Sequence, residues 1–182
     1  MQLRGNANLI LTGFMGTGKT ALGHHLAQAW RRPFVDTDSL IQNKTKRKIS
    51  EIFETDGEPF FRELEKQCVA EWLPSEGAII STGGGIVTID GMSEKLAQKG
   101  IVIALFAKPE TILERIHGNK NRPLLAAENL EEQLAKIKTL YAARERAYMH
   151  SGINLITDVY SIAELVERVT KIYNRECSRR KL

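Results

Sequence analysis

Apolar positions along the chain alternate between two patterns. Leu9, Ile10 and Leu11, between Asn8 and Thr12, form a short unbroken apolar run and predict a buried strand. From Thr20 to Trp30 the apolar residues Ala21, Leu22, Leu26, Ala27 and Trp30 recur at helical spacing. Arg32-Pro33 breaks that spacing, and Phe34-Val35 opens a second strand. A short helix begins at Ser50-Glu51-Ile52-Phe53. Phe61, Leu64, Cys68 and Trp72 then form a core stripe on a further helix, with Pro59 suited to its first turn. Ala78–Ser81 reads as a third strand, Asp90–Lys99 as a helix, and Ile101–Phe106 as the clearest buried strand of the chain. Lys108-Pro109-Glu110 starts a helix that runs through Ile112, Leu113 and Ile116. A long helix spans Leu130–Tyr148, with Leu134, Ile137, Tyr141 and Tyr148 near one face. Ile153–Ile156 is a last strand and Ile162–Tyr173 a closing helix. Five short strands with helical crossovers predict an α/β fold: three αβα layers around a five-stranded parallel sheet covered on both faces. No repeat, low-complexity tract or linker divides the 182 residues, so the chain reads as one domain over 1–182.

Composition narrows the class. The chain is 42% hydrophobic and 26% charged, within the globular norm. Its two cysteines, Cys68 and Cys177, are far apart and in no metal-binding spacing, and Cys68 falls on the apolar face of a helix as a small core residue. No run reaches transmembrane length and no signal-peptide core opens the chain, which implies a soluble, reducing, cytoplasmic setting and no membrane partner. The net charge of +4 is modest. Part of it lies in Arg175, Arg179, Arg180 and Lys181, a solvated helix end with no interleaved aromatics, so no nucleic-acid partner is expected. No exposed heptad is evident, and the default is a monomer.

The candidate chemistry starts at Gly13-Phe14-Met15-Gly16-Thr17-Gly18-Lys19-Thr20, which fits G-x-x-x-x-G-K-[ST] between a strand and a helix. In that setting glycines let backbone N–H groups wrap an anion at a helix N-terminus. Lys19 then reaches the β- and γ-phosphates, and Thr20 places a hydroxyl on Mg²⁺. The second strand ends in Asp36-Thr37-Asp38. On an extended segment these carboxylates point the same way, toward the ligand crevice at the strand's carboxyl end. Asp36 could hold the metal's water shell, and Asp38 could accept a proton or hydrogen bond from a substrate hydroxyl. The competing role is a helix cap at Asp38, which would explain one aspartate and not both. Arg62 and Glu65 are i, i+3 neighbours able to pair, and composition alone makes them a surface ion pair. Thr82-Gly83-Gly84-Gly85 directly follows the third strand, where glycines allow close approach of a ligand and donation by the backbone. His117 to Pro123 breaks periodicity with a basic segment of the kind that closes over phosphates. The lone His117 receives no role.

In order and spacing, these residues resemble the shikimate kinases, of the P-loop, nucleoside-monophosphate-kinase-like fold. The resemblance runs from Leu9 to about Asp158. It rests on the P-loop, Asp36-x-Asp38, Gly57-Glu58 through Phe61-Arg62-x-x-Glu65, Thr82 to Gly85, Arg122-Pro123-Leu124-Leu125, and Tyr141-x-x-Arg144-x-x-x-Tyr148. It implies a sheet ordered 2-3-1-4-5 and transfer of the γ-phosphoryl group of ATP to the 3-hydroxyl of shikimate. The implied catalytic residues are Lys19, Asp38 and Arg122. ATP would be bound by Gly13, Gly16, Thr17, Gly18, Lys19, Thr20, Arg115 and Arg122, with Arg115 stacking on adenine and Arg122 supplied by a lid at about 115–127. Shikimate would be bound by Asp38, Arg62, Gly83, Gly84, Gly85 and Arg144, with a substrate-binding helical segment at about 37–65. Arg62 and Arg144 suit the substrate's carboxylate through charge-assisted bonds, and Glu65 would orient Arg62, which turns the bland ion pair into part of the site. Thr20 and Asp36 would hold Mg²⁺. Three residues depart from the family's habit: Ala21 replaces a second hydroxyl after the P-loop, His24 a basic residue, and Gln42 a common Glu.

Gluconate and nucleotide kinases share the P-loop and lid, and are not expected to combine Asp-x-Asp, Phe-Arg-x-x-Glu and three glycines. A GTP-dependent switch would need D-x-x-G and N-K-x-D. Asn119-Lys120-Asn121-Arg122 fails the second at its last position. A nucleotide-binding module without activity is the remaining alternative, and the full catalytic set speaks against it.

Overall fold

A computed structural model describes residues 3–116 and 129–181. Arg122, the Arg122-Pro123-Leu124-Leu125 motif and nearly all of the expected lid lie outside the described residues.

Five strands, β1 (Asn8–Gly13), β2 (Phe34–Asp36), β3 (Ile79–Ser81), β4 (Gly100–Phe106) and β5 (Ile153–Ile156), form one sheet in the order β2-β3-β1-β4-β5. Every pairing is parallel. The period-2 alternation of strands sorts side chains into two cores. Leu9, Leu11, Ile101, Ile103 and Leu105 pack with α1 (Lys19–Trp30) and α8 (Ile162–Arg180). Ile10, Ile80 and Val102 face the opposite layer. That layer contains α2 (Thr37–Thr45), α3 (Ile49–Thr55), α4 (Gly57–Gln67), α5 (Met92–Lys99), α6 (Pro109–Ile116) and α7 (Leu130–Ser151). With both faces covered, the inner strands are apolar without interruption, as the sequence pattern implied.

Register places the site. Ser81 pairs with Leu11 on one side and Asp36 on the other. The segments that leave β1, β2 and β3, namely the P-loop, Asp36 to Asp38 and Thr82 to Gly85, therefore emerge side by side at the carboxyl edge of the sheet, where open α/β sheets bind ligands.

Three local expectations change. Helix α2 begins at Thr37, so Asp36 is its N-cap, accepting the Ser39 N–H at 3.1 Å, and Asp38 lies in the first turn. The two aspartates do not share an extended segment, and the capping residue is Asp36 rather than Asp38. Helix α4 runs into a π-helical turn, Cys68–Trp72, in which Leu73 N–H reaches the Cys68 carbonyl. The wider turn moves the next core position from four residues after Cys68 to five: Leu73 is buried, whereas Trp72 is only partly buried. Helix α8 continues seven residues past Tyr173 because Glu176 and Cys177 extend its buried face. Among the described residues, no helix is long and apolar enough to cross a membrane.

Candidate active site

The P-loop is shaped for an anion. Gly16 and Gly18 have φ of 79° and 96°, a left-handed region that favours glycine. A β-carbon at Gly16 would also lie 2.9 Å from the Ile116 side chain. Gly18 is the N-cap of α1 and makes no side-chain cap, and no acidic residue occupies the helix's first turn. Most helix starts carry an oxygen acceptor or an acid there. This one leaves its N–H groups and positive dipole end for a ligand. The Thr17 side chain turns inward and donates to the Phe14 carbonyl at 2.8 Å. Lys19 is nearly buried and reaches back along the loop, its Nζ donating to the Gly13 and Phe14 carbonyls at 2.8 and 2.9 Å.

A cavity of about 560 Å³ opens from this loop. Gly16, Thr17, Gly18, Lys19, Thr20, Asp36, Asp38, Gly83, Gly84 and Arg115 all line it, so residues from four distant segments meet. Thr20 and Asp36 offer hydroxyl and carboxylate oxygens, the donor set of a hard cation such as Mg²⁺, which takes only one or two protein ligands when it travels with phosphates.

On the acceptor side, Arg62 of α4 is bound at both ends. Its Nη1 donates to Glu65 Oε2 at 2.6 Å and its Nη2 to Glu58 Oε1 at 2.6 Å. Glu65 is 1% exposed. Burial pushes its carboxyl up to about 7, against the opposing pull of Arg62. Asp38 is raised to about 6, first by burial and then by the charge of Asp36, with Lys19 and Arg62 acting in the other direction. One oxygen of each acid, Asp38 Oδ1 and Glu65 Oε1, is buried without a hydrogen-bond partner. A buried, unpaired carboxylate oxygen is costly. Both lie around Gly83, where a hydroxyl-bearing ligand would supply what they lack.

The glycines of Thr82-Gly83-Gly84-Gly85 have a reason that spacing did not reveal. None has positive φ. A β-carbon at Gly83 would fall 2.7 Å from Asp38 Oδ1 and 2.8 Å from Glu65 Oε1, and one at Gly85 would fall 2.4 Å from Arg62 Nη1. These positions are kept empty for the site's own side chains. At Gly84 a β-carbon would make ordinary van der Waals contact with backbone atoms of Met15 and Gly13, at 3.6 and 3.8 Å. The Gly83 N–H is already engaged by Thr37 Oγ1 at 2.9 Å.

Arg144 is half-buried on α7, and its charge acts on the Tyr148 hydroxyl. Arg115, in the last turn of α6, donates to the Gly16 carbonyl at 3.3 Å and to Thr157 Oγ1 at 3.1 Å. Sequence reasoning passed over Thr157. Its hydroxyl donates to the Thr17 carbonyl at 2.9 Å and its N–H to the Phe106 carbonyl at 2.8 Å. It thereby ties P-loop, sheet and Arg115 together. The available signal was its place immediately after β5, at the ligand edge. Thr37 and Tyr148 were also missed as site residues.

The family model described as "Shikimate kinase" matches residues 15–174. A protein named shikimate kinase from Thermoanaerobacter pseudethanolicus is 40% identical over 168 residues, covering 92% of this chain and 96% of the relative. One from Geobacter sulfurreducens is 39% identical over 162 residues, covering 89% and 88%. Among solved structures, shikimate kinase from Acinetobacter baumannii in complex with shikimate superposes with a TM-score of 0.82 at 35% identity, covering 91% of this chain and 92% of that one. A gluconokinase from Sinorhizobium meliloti matches with a TM-score of 0.57 at 17% identity, a likeness of fold alone.

Proposed function

This chain belongs to the shikimate kinase family, and from that premise we propose that it transfers the γ-phosphoryl group of ATP to the 3-hydroxyl of shikimate, giving 3-phosphoshikimate and ADP. The observation that carries the acceptor is the pair of unpartnered buried oxygens, on Asp38 and Glu65, packed around Gly83, with Asp38 and Gly83 lining the same cavity as the P-loop. That arrangement suits a small polyol carrying a carboxylate.

In this reading the P-loop N–H groups and Lys19 cradle the phosphates and Lys19 offsets charge growing toward the bridging oxygen. Thr20 and Asp36 would hold Mg²⁺ with the nucleotide, and the ion would supply positive charge against the phosphates. Arg62 and Arg144 hold the shikimate carboxylate, and Glu65 fixes Arg62. Asp38 accepts the proton of the 3-hydroxyl as its oxygen bonds to the γ-phosphorus and the bond to the β-phosphate oxygen breaks. A carboxyl group raised to about 6 is still ionised at neutral pH and is a stronger base than an ordinary one. Arg115 faces the adenine side. Arg122, carried by a lid at about 115–127, stabilises the transferring group. The enzyme acts as a cytoplasmic monomer of one domain, on ATP and shikimate alone.

A coupled ADP-release assay with shikimate, gluconate and nucleoside monophosphates in parallel tests the assignment. Turnover with shikimate alone is expected; turnover with another acceptor and none with shikimate overturns it.

A further inference from the structure

Tyr148 lies on α7 one turn beyond Arg144 and is 1% exposed. Its hydroxyl meets two groups: the guanidinium of Arg144 and the carbonyl oxygen of Gly84. The chemistry of those neighbours sets where the hydroxyl proton goes. A guanidinium has donors only and a backbone carbonyl has acceptors only. The phenol's single proton therefore goes to Gly84, and its oxygen lone pairs are left to face the Arg144 charge. Burial, opposed by the charge of Arg144, pushes the phenol up to about 12, so this proton stays in place at any working pH.

The bond to Gly84 has a geometric consequence. In a trans peptide the carbonyl and the following N–H point to opposite sides, and the chain has no cis peptide among its described residues. A Gly84 carbonyl drawn to Tyr148 on α7 directs the Gly85 N–H away from α7. Gly84 has no side chain of its own to resist rotation of this peptide, and a β-carbon there would meet nothing closer than 3.6 Å. The preceding residue is held from the other side, by Thr37 on α2. The glycine segment is thus pinned by one hydroxyl from each flanking helix.

We propose that Tyr148 is a positioning residue for the acceptor, joining the Arg144 guanidinium and the Gly84–Gly85 peptide into one rigid recognition surface. This rests on the reading above, in which Arg144 holds the shikimate carboxylate, and on the expectation from the family resemblance that the Gly83 to Gly85 backbone meets the acceptor. Loss of the hydroxyl leaves the Gly84 carbonyl unpaired and frees Arg144 to rotate, so both contacts to the acceptor loosen together. The nucleotide side is built on other elements: the P-loop, Arg115 of α6 and Thr157 after β5.

The test is Tyr148→Phe, which deletes one oxygen. We expect KM for shikimate to rise about tenfold, the scale of one or two hydrogen bonds to a charged or polar ligand. KM for ATP should stay within about twofold. A merely structural role would lower the melting temperature and move both KM values together, and that outcome, or an unchanged KM for shikimate, overturns the proposal. A second measurement does not depend on the variant's folding. In the otherwise native chain carrying 3-fluorotyrosine at position 148, the ¹⁹F resonance should move when shikimate binds without nucleotide. A resonance indifferent to saturating shikimate, in protein that turns shikimate over normally, also overturns the proposal. No wild-type turnover with shikimate would instead remove the substrate assignment, and this inference with it.

Discussion

Arg62 lies across Gly85 so closely that a β-carbon on the glycine would sit 2.4 Å from Arg62 Nη1. The two residues are far apart in sequence, on α4 and after β3, and neither constrains the other until the chain is folded. Gly85→Ala should push the guanidinium off its seat between Glu58 and Glu65. We expect kcat/KM for shikimate to fall about 10–100-fold, the loss of one charge-assisted contact. KM for ATP should hold, and steady-state kinetics in both substrates will show whether it does.

Lys19 is the lysine that the P-loop directs at the phosphates, and it also braces the loop through the Gly13 and Phe14 carbonyls. Lys19→Ala should lose at least ~100-fold in turnover while the sheet and its two cores stay folded. Near-normal turnover, with circular dichroism unchanged, would remove Lys19 from the phosphate site.

Asp38 couples activity and stability with opposite signs. Its folded value, about 6, lies above the ordinary 3.8. Between those values the folded state binds more protons than the unfolded one, so this group's contribution to stability falls as pH rises through the window. Asp38→Asn should therefore raise heat stability at pH 8, by about 1–3 kcal/mol, and the gain should vanish below about pH 4. Turnover moves the other way. Wild-type kcat/KM should decline as pH drops below about 6, and the asparagine variant should lose about 10²–10⁴-fold while binding ATP normally. Melting curves and rates at pH 4, 6 and 8 check both halves.

Thr157 bonds the P-loop carbonyl of Thr17 and receives Arg115. Thr157→Val keeps the branched shape and removes the hydroxyl. We expect KM for ATP to rise about 5–10-fold with KM for shikimate unchanged, and Thr157→Ser to restore the native value. A rise shared by both substrates, or no rescue by serine, would make Thr157 a packing residue only.

Much of this protein was legible in its sequence, because local rules governed it. The strands are unbroken apolar runs since both sheet faces are covered, and the P-loop glycines sit where φ is positive and where Ile116 leaves no room. Such demands are met within a few residues and leave a readable spacing. Other features came only from the tertiary structure. Spacing placed Asp36 and Asp38 on a shared extended segment, and the early start of α2 split them into a cap and a partly buried acid. The stripe predicted Trp72 in the core, and the π-helical turn substituted Leu73. Spacing did not show that a β-carbon at Gly83 or Gly85 would collide with Asp38, Glu65 or Arg62. Tyr148 and Thr157 carried no motif of their own, because a single hydroxyl between two distant backbone groups leaves no periodic trace. Backbone geometry repeats along the chain and can be read in order. The cost of burying a charge, the direction of a hydroxyl proton and the space left for a β-carbon depend on which distant atoms arrive, and only the packed sheet and helices determine that.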